Sequence, residues 1–395
     1  MKWEKVKLGD IATFSNGINF NKTAYAKGIK LIGVSNFGDR FYPDYSQLQE
    51  VKKDIVRLED CLRNGDIVFV RSNGNKELVG RCMLVKNPTE RVTYSGFCIR
   101  ARLNDTDRYD PVYFTYYFKS KAFRRAVSGT AVGANIQNLS QARLSNHECR
   151  IPSIEVQHRI ADILSAYDNL IENNQKQIKL LEEAARRLYK EWFVDLRFPG
   201  HENTKIVDGV PEGWNEKTLS QVANVIMGQS PKSEFYNSEK KGLPFHQGVG
   251  SYGVRFVIDD IYSTSYTRIA EPNSILFSVR APVGRLNITK NKVVIGRGLA
   301  AINQTDGCQS YLYYLLKNKF FKDNIVGNGA IFASVSKDEL LNQKFLIPER
   351  NLMMQFEKIV SQMDKQIENL DSKNKKLIEA RDRLLPKLMS GEVEA

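Results

Sequence analysis

The residues best suited to chemistry in this 395-residue chain sit in polar, basic loops that occur twice. Behind the apolar run Asp66-Ile-Val-Phe-Val70 comes Arg71-Ser-Asn73-Gly-Asn75-Lys76, and then Arg81. Behind a second run, Ser274-Ile-Leu-Phe-Ser278, comes Val279-Arg280-Ala-Pro-Val-Gly-Arg285, and later Arg297. An arginine can grip a guanine edge with two parallel hydrogen bonds, and Asn or Gln does the same for adenine. Lys and Arg also neutralise phosphates without reading sequence. A further loop precedes each of two long helical stretches. One is Gly129-Thr-Ala-Val-Gly-Ala-Asn135-Ile-Gln137-Asn138; the other runs from Gly327 to Ser334-Val-Ser336. Glycines in such loops let the backbone approach a duplex closely. The candidate contacts are Arg71, Asn73, Asn75, Lys76, Arg81, Asn135, Gln137 and Asn138 in the first half. In the second they are Arg280, Arg285, Arg297, Ser334 and Ser336. The same loops also read as solvated turns with ordinary surface charge; their repetition in both halves favours the binding reading.

Catalytic motifs are missing. No GxxxxGK[ST] loop, no Asn/Asp-Pro-Pro-aromatic tetrad for a flipped adenine and no convincing GxGxxG after a strand occur. The four histidines, His147, His158, His201 and His246, lack metal-ligand spacing. Asp44, Glu50 and Lys52 imitate the acidic pair and lysine of a metal-dependent nuclease, but no strand separates the two parts, so a solvated charged segment is the simpler reading. A nuclease nevertheless stands as one alternative function, and a coiled-coil scaffold with incidental basic charge as another.

The net charge of +13 first suggests a polyanion partner. It is concentrated in residues 1–150, where 25 Lys and Arg stand against 15 Asp and Glu; residues 198–346 hold 17 against 13. The start of the chain shows no signal peptide, and no apolar stretch approaches the ~20 residues of a membrane span. Five scattered cysteines without a CxxC point to reduced structural thiols and a cytoplasmic location.

Two elements must position these loops. In residues 154–193 apolar side chains recur at steps of four and three: Ile160, Leu164, Tyr167, Ile171, then Ile178, Leu181, Ala185, Leu188, Trp192. That is the 3.5-residue period of a coiled-coil seam, with Asn174 in one seam position. Some forty residues at 1.5 Å rise span roughly 60 Å. A helix with one apolar stripe needs a partner, and the segment from Ile347 supplies it. With a shift of 196, Ile151-Pro152 falls on Ile347-Pro348, Asp168 on Asp364, Ile171-Glu-Asn173 on Ile367-Glu-Asn369, and Arg187-Leu188 on Arg383-Leu384. Asn374 lies near the midpoint of the second helix, and both asparagines are expected to sit centrally and set an antiparallel register; alternatively each turns to solvent. Ser153 is a plausible cap for the first helix, Pro199-Gly200 should stop it, and Pro386 should end or kink the second.

The repeat extends upstream with an offset that falls steadily. Trp3 matches Trp214 at 211, Val79-Gly-Arg81 matches Val283-Gly-Arg285 at 204, Gly96 matches Gly296 at 200, and Tyr113 matches Tyr311 at 198. Chance matches would not drift in one direction; loop-length differences between two copies do. The expected organisation is a globular unit at 1–150, a helix at 151–197, a second unit at 198–346 and a helix at 347–395. Each unit reads as mixed α/β (α+β), with strands at the two apolar runs and at Lys292-Val-Val-Ile295, and aromatic helices at 113–118 and 311–316.

This arrangement resembles the specificity subunit of type I restriction-modification systems. The residues that carry the resemblance are Gly129 with Asn135-Ile-Gln-Asn-Leu-Ser140 leading to Ile151-Pro152; Glu191-Trp-Phe-Val-Asp-Leu-Arg-Phe-Pro-Gly-His201 with Val210-Pro-Glu-Gly-Trp214; and Leu384-Leu-Pro-Lys-Leu-Met-Ser-Gly-Glu392. It covers the whole chain, although Ala333-Ser-Val-Ser336 departs from the family's usual Gly-x-x-Gln/Asn-Ile-Ser loop. The resemblance implies a non-catalytic, sequence-specific subunit for double-stranded DNA with a bipartite site. Its two target-recognition domains would each read a half-site of a few base pairs. Its antiparallel helices, related by pseudo-twofold symmetry, would set the gap. It also implies two DNA-methyltransferase subunits carrying S-adenosylmethionine, and motor-nuclease subunits carrying ATP and Mg²⁺, so this chain itself would hold no cofactor.

Overall fold

The computed structural model describes residues 3–38, 40–73, 78–127, 137–320 and 334–395. They form two compact units that are not simple sequence segments. One comprises residues 1–174 with 372–395, the other 175–371, so each holds one globular domain and a part of both long helices.

The first domain contains β1 (Ala12–Asn16), β2 (Tyr25–Ile32), β3 (Ile67–Val70), β4 (Cys82–Leu84), β5 (Val92–Tyr94) and β6 (Cys98–Leu103). An antiparallel sheet runs in the order β1-β6-β3-β4, and β2 pairs in parallel with β5 in a smaller sheet. The run Ile67-Val-Phe-Val70 is apolar throughout because both of its faces are covered. Ile67 and Phe69 point to a core shared with α1 (Pro111–Lys119), where Phe69 lies 5.0 Å from the Phe118 ring. Val68 and Val70 point the other way, against Val85, Val92 and Tyr94. Strand side chains alternate in this manner by geometry alone. Asp110 caps α1 by accepting from the amides of Val112 and Tyr113, both at 3.1 Å, and Pro111 opens the first turn.

The long helix α2 (Ile154–Phe193) follows. The second domain repeats the first: β7 (Ala223–Met227), β8 (Leu243–His246), β9 (Ile275–Ser278), β10 (Leu286–Ile288), β11 (Val293–Ile295), β12 (Leu299–Gln304) and α3 (Gln309–Phe320). Its main sheet has the order β7-β12-β9-β10, and β8 is parallel to β11. In each domain an entry strand pairs antiparallel with the strand just before the long helix, Glu4–Lys7 with Glu148–Ile151 and Asn215–Thr218 with Lys344–Ile347, so the chain returns to its origin before entering that helix.

The second long helix, α4 (Arg350–Ser390), continues past Pro386 rather than ending there. Proline removes one backbone bond, but Leu388 beyond it is buried and Met389 packs on the first core, which holds the last turn in place. The seam of α4 follows the 3.5-residue period from Met353 and Phe356 through Val360, Met363, Ile367, Leu370, Asn374 and Leu377 to Arg381, Leu384 and Leu388, all buried or half-buried. Within the first unit the helices run antiparallel. Asp168 meets Arg381, Asn174 meets Asn374, and Arg159 Nε donates to the Ala395 carbonyl at 3.0 Å. Within the second unit Ala185, Tyr189 and Trp192 share a core with Leu352, Met353, Phe356 and Val360.

The two asparagines face one another. Asn174 Nδ2 donates to Asn374 Oδ1 at 2.8 Å, and Asn374 Nδ2 reaches the Ile171 carbonyl at 3.5 Å. Only 9% and 7% of their surfaces are exposed, so neither turns to solvent.

Candidate nucleic-acid interface

The same backbone hydrogen bonds build the candidate loops in both domains, and they set the true correspondence between them. At the end of β3, the Val70 amide donates to the Arg81 carbonyl at 2.9 Å and the Gly80 amide to the Val70 carbonyl at 2.9 Å. At the end of β9, Ser278 donates to Arg285 at 2.9 Å and Gly284 to Ser278 at 3.0 Å. Gly80 and Gly284 take φ of 79° and 84°, a left-handed conformation that favours glycine. Arg81 and Arg285 are therefore equivalent, each half-buried on the far side of a glycine turn.

The segment before the long helix closes onto the strand end. Ser72–Asn73 pairs antiparallel with Gln137–Asn138, and Leu139 donates to the Arg71 carbonyl at 2.9 Å. In the second domain Arg280 bridges Ser334, and Val335 donates to the Val279 carbonyl at 2.8 Å. Arg71 therefore corresponds to Val279, and Arg280 sits one residue farther along, at the place of Ser72. Arg71 is half-buried, with Nη1 donating to the Gly96 carbonyl at 3.3 Å, whereas Arg280 is exposed. Asn138 and Ser334 are exposed at equivalent places. Asn75, Lys76 and Asn135 lie outside the described residues, and of Gln137 only the backbone is placed.

One sequence assignment changes. Strand pairing puts Leu103 and Gln304 opposite Ala12 and Ala223, so this part of the repeat has an offset of 201. Gly96 thus corresponds to Arg297, not Gly296. The turn presents Phe97 in the first domain and Arg297 in the second as its large exposed side chain. Ser336 is the N-cap of the short helix Lys337–Leu341. Its hydroxyl donates to Glu339 Oε2 at 2.8 Å and accepts from the Glu339 amide. Ser140 likewise caps Gln141–Ser145, its hydroxyl accepting from the Arg143 amide at 3.1 Å. A hydroxyl engaged in a cap shapes the turn, and Ser336, which is exposed, stays among the candidate DNA contacts.

Sequence reasoning missed Phe97, which is 63% exposed. Its carbonyl accepts from the Arg71 amide at 2.8 Å, so it stands beside the candidate arginine. An aromatic in a Gly-Phe turn was the available signal. Also missed was a cleft of about 370 Å³ beside Arg285, walled by Val254, Pro282, Tyr313 and Lys317.

The imitation nuclease site dissolves into local structure. Asp44 caps a turn; the Ser46 hydroxyl and then the Arg40 guanidinium hold its carboxyl below the usual range. Glu50 accepts from the Gly28 amide at 2.6 Å. Among the described residues no group of three or more His, Cys, Asp or Glu is placed to hold a metal ion, and no helix is long and apolar enough to cross a membrane. The five cysteines are buried and unpaired, and burial pushes the Cys98 thiol up to about 12. Such a thiol is a packing group rather than a nucleophile.

A duplicated mixed α/β domain, each copy closed on paired antiparallel helices and each presenting an arginine behind a glycine turn, defines a tandem-domain binding protein. The profile of the type I restriction modification DNA specificity domain matches residues 1–183 and 211–380, and the chain belongs to that family. It is 28% identical over 403 residues to a protein named for the type I restriction enzyme MjaX specificity subunit of Methanocaldococcus jannaschii, covering 99% of this chain and 93% of that one. It is 24% identical to the type I restriction enzyme HindI specificity subunit of Haemophilus influenzae, covering 99% of each. The crystal structure of a type I restriction-modification S subunit from M. genitalium shares the fold at a TM-score of 0.61 and 19% identity, covering 98% of this chain and 96% of that one. The chain is thus a specificity subunit, a class without catalysis of its own, and neither the nuclease nor the scaffold alternative finds support.

Proposed function

We propose that each globular domain reads one half of a split sequence in duplex DNA and that the paired helices set the gap. The observation that carries this reading is the shared turn holding Arg81 in one domain and Arg285 in the other, in a family of DNA specificity proteins. Arg71, Asn73 and Asn138 would line the first reading surface, and Arg280, Arg297, Ser334 and Ser336 the second, with Asn75, Lys76, Asn135 and Gln137 as further candidates for the first. Helices of 40 and 41 residues span roughly 60 Å, enough to hold two readers one DNA turn, about 34 Å, apart.

The helices would also dock two adenine-methyltransferase subunits, which supply S-adenosylmethionine and the base-flipping pocket; motor-nuclease subunits would bring ATP and Mg²⁺. Exposed apolar residues on the helices, including Leu170, Leu180 and Ile359, suit such docking. The test is a genome-wide map of methylated adenines with and without this chain. Loss of one split motif is expected; an unchanged map with an active methyltransferase would refute the reading.

The Asn174–Asn374 pair is assigned to helix register. Asn174→Leu alone strands a buried amide and should lower stability by about 1–3 kcal/mol. Asn174→Leu with Asn374→Leu should recover that loss while allowing shifted pairings. Urea unfolding and light scattering would check this, and a single variant unchanged in both stability and oligomeric state would end the register role.

A further inference from the structure

The two domains are tied to the helices by different chemistry. In the first unit, Tyr116 Oη donates to Asp168 Oδ2 on α2 at 2.6 Å, and Arg381 of α4 pairs with the same carboxylate. The repeat places Asp364 and Tyr314 at the matching positions of the second unit, but the residue matching Arg381 is Ala185, which carries no charge. The missing cation comes from the second domain itself. The Arg255 guanidinium is 2% exposed; Nη2 donates to Asp364 Oδ1 on α4, and Nη1 donates to Tyr314 Oη at 3.2 Å and lies 3.4 Å from Glu182 Oε1 on α2. Its plane also covers the Tyr313 ring at 4.5 Å. Backbone bonding fixes the correspondence: Ile288 donates to the Arg255 carbonyl at 2.9 Å as Leu84 donates to that of Phe41. The first domain therefore has an aromatic ring here, packed 4.5 Å from Tyr116. Lys290 adds a more exposed tie to Asp371 at 2.7 Å.

We propose that Arg255 is a positioning residue that sets the angle of the second recognition domain on its two helices and thereby restricts the spacer between half-sites. The proposal rests on the split-site reading above. A buried ion pair adds little net stability compared with apolar packing. A planar guanidinium fork does, however, meet two carboxylates on two different helices in only one orientation. The arrangement is thus better suited to fixing geometry than to holding the fold together.

The experiment maps methylated adenines in cells carrying the methyltransferase partner and the full-length chain as wild type, Arg255→Met, or Arg255→Met with Glu182→Gln and Asp364→Asn. The triple variant removes the whole charge set, so no carboxylate is left stranded. Both half-sites should persist, while the share of methylated sites with a spacer one base pair longer or shorter rises about tenfold, the effect of a modest change in binding energy. A single unchanged spacer in the triple variant overturns the proposal, as does a degenerate second half-site, which would make Arg255 a base reader. Hydrogen exchange on the purified full chain provides an independent readout. Amides at 253–257 and around Asp364 should exchange faster in the variants, and unchanged exchange overturns the lock even if a variant supports no methylation. A wild-type map without any split motif would instead refute the split-site reading, leaving hydrogen exchange to decide the lock.

Discussion

Phe356→Ala is expected to lower the stability of the protein by about 3–5 kcal/mol, the cost of emptying a fully buried aromatic site. Phe356 has no exposed surface and is the meeting point of both long helices and α3 within the second unit. Its ring centroid lies 5.2 Å from Phe193, 6.0 Å from Tyr189 and Trp192, and 6.3 Å from Tyr311 and Tyr314. Five aromatic neighbours held by two other helices, α2 and α3, cannot collapse together to refill the space. Urea unfolding followed by tryptophan fluorescence reports directly, because Trp192 and Trp214 share this core. A loss below about 1 kcal/mol would show that the cluster repacks freely.

The second large effect concerns DNA. Arg81→Ala should weaken discrimination at one half-site and Arg285→Ala at the other, each by about 1–3 kcal/mol if the side chain makes a two-bond contact to a base. The assay is competition among duplexes altered one base pair at a time, with the methyltransferase partner present. The two variants should have separate footprints, because their turns share the same pair of strand-end backbone bonds yet lie in different domains. If a variant weakens every duplex alike and lowers the salt slope by about one, its arginine holds a phosphate instead.

Much of this was legible in the chain. The 3.5-residue stripes needed no tertiary information, since a repeating apolar seam dictates a long helix and requires a partner. The run Ile67–Val70 and the Ile-Leu-Phe stretch that opens Ile275–Ser278 were apolar because each is covered on both faces. The repeat, its drifting offset and the lack of catalytic motifs were likewise open to reading. The one-residue displacement that pairs Gly96 with Arg297 was not. Both copies have glycine nearby, and identity cannot register a turn that hydrogen bonds define. Pro386 was read by its local rule, but packing of Leu388 carries α4 past it. That Ser336 caps a short helix was not legible either, because a serine at a loop end looks the same whether or not it does so.

By itself the sequence determined the duplicated domains, the two seam helices and the repeated arginine loops, because periodicity and repetition are local or translational properties of a chain. Only the tertiary structure decided which charges meet. Asp168 and Asp364 are the same residue in two copies, yet one is neutralised by Arg381 across the helix pair and the other by Arg255 from a loop more than a hundred residues away. A half-buried carboxylate is favoured by a nearby cation, and which residue supplies it depends on what the fold brings within hydrogen-bond reach.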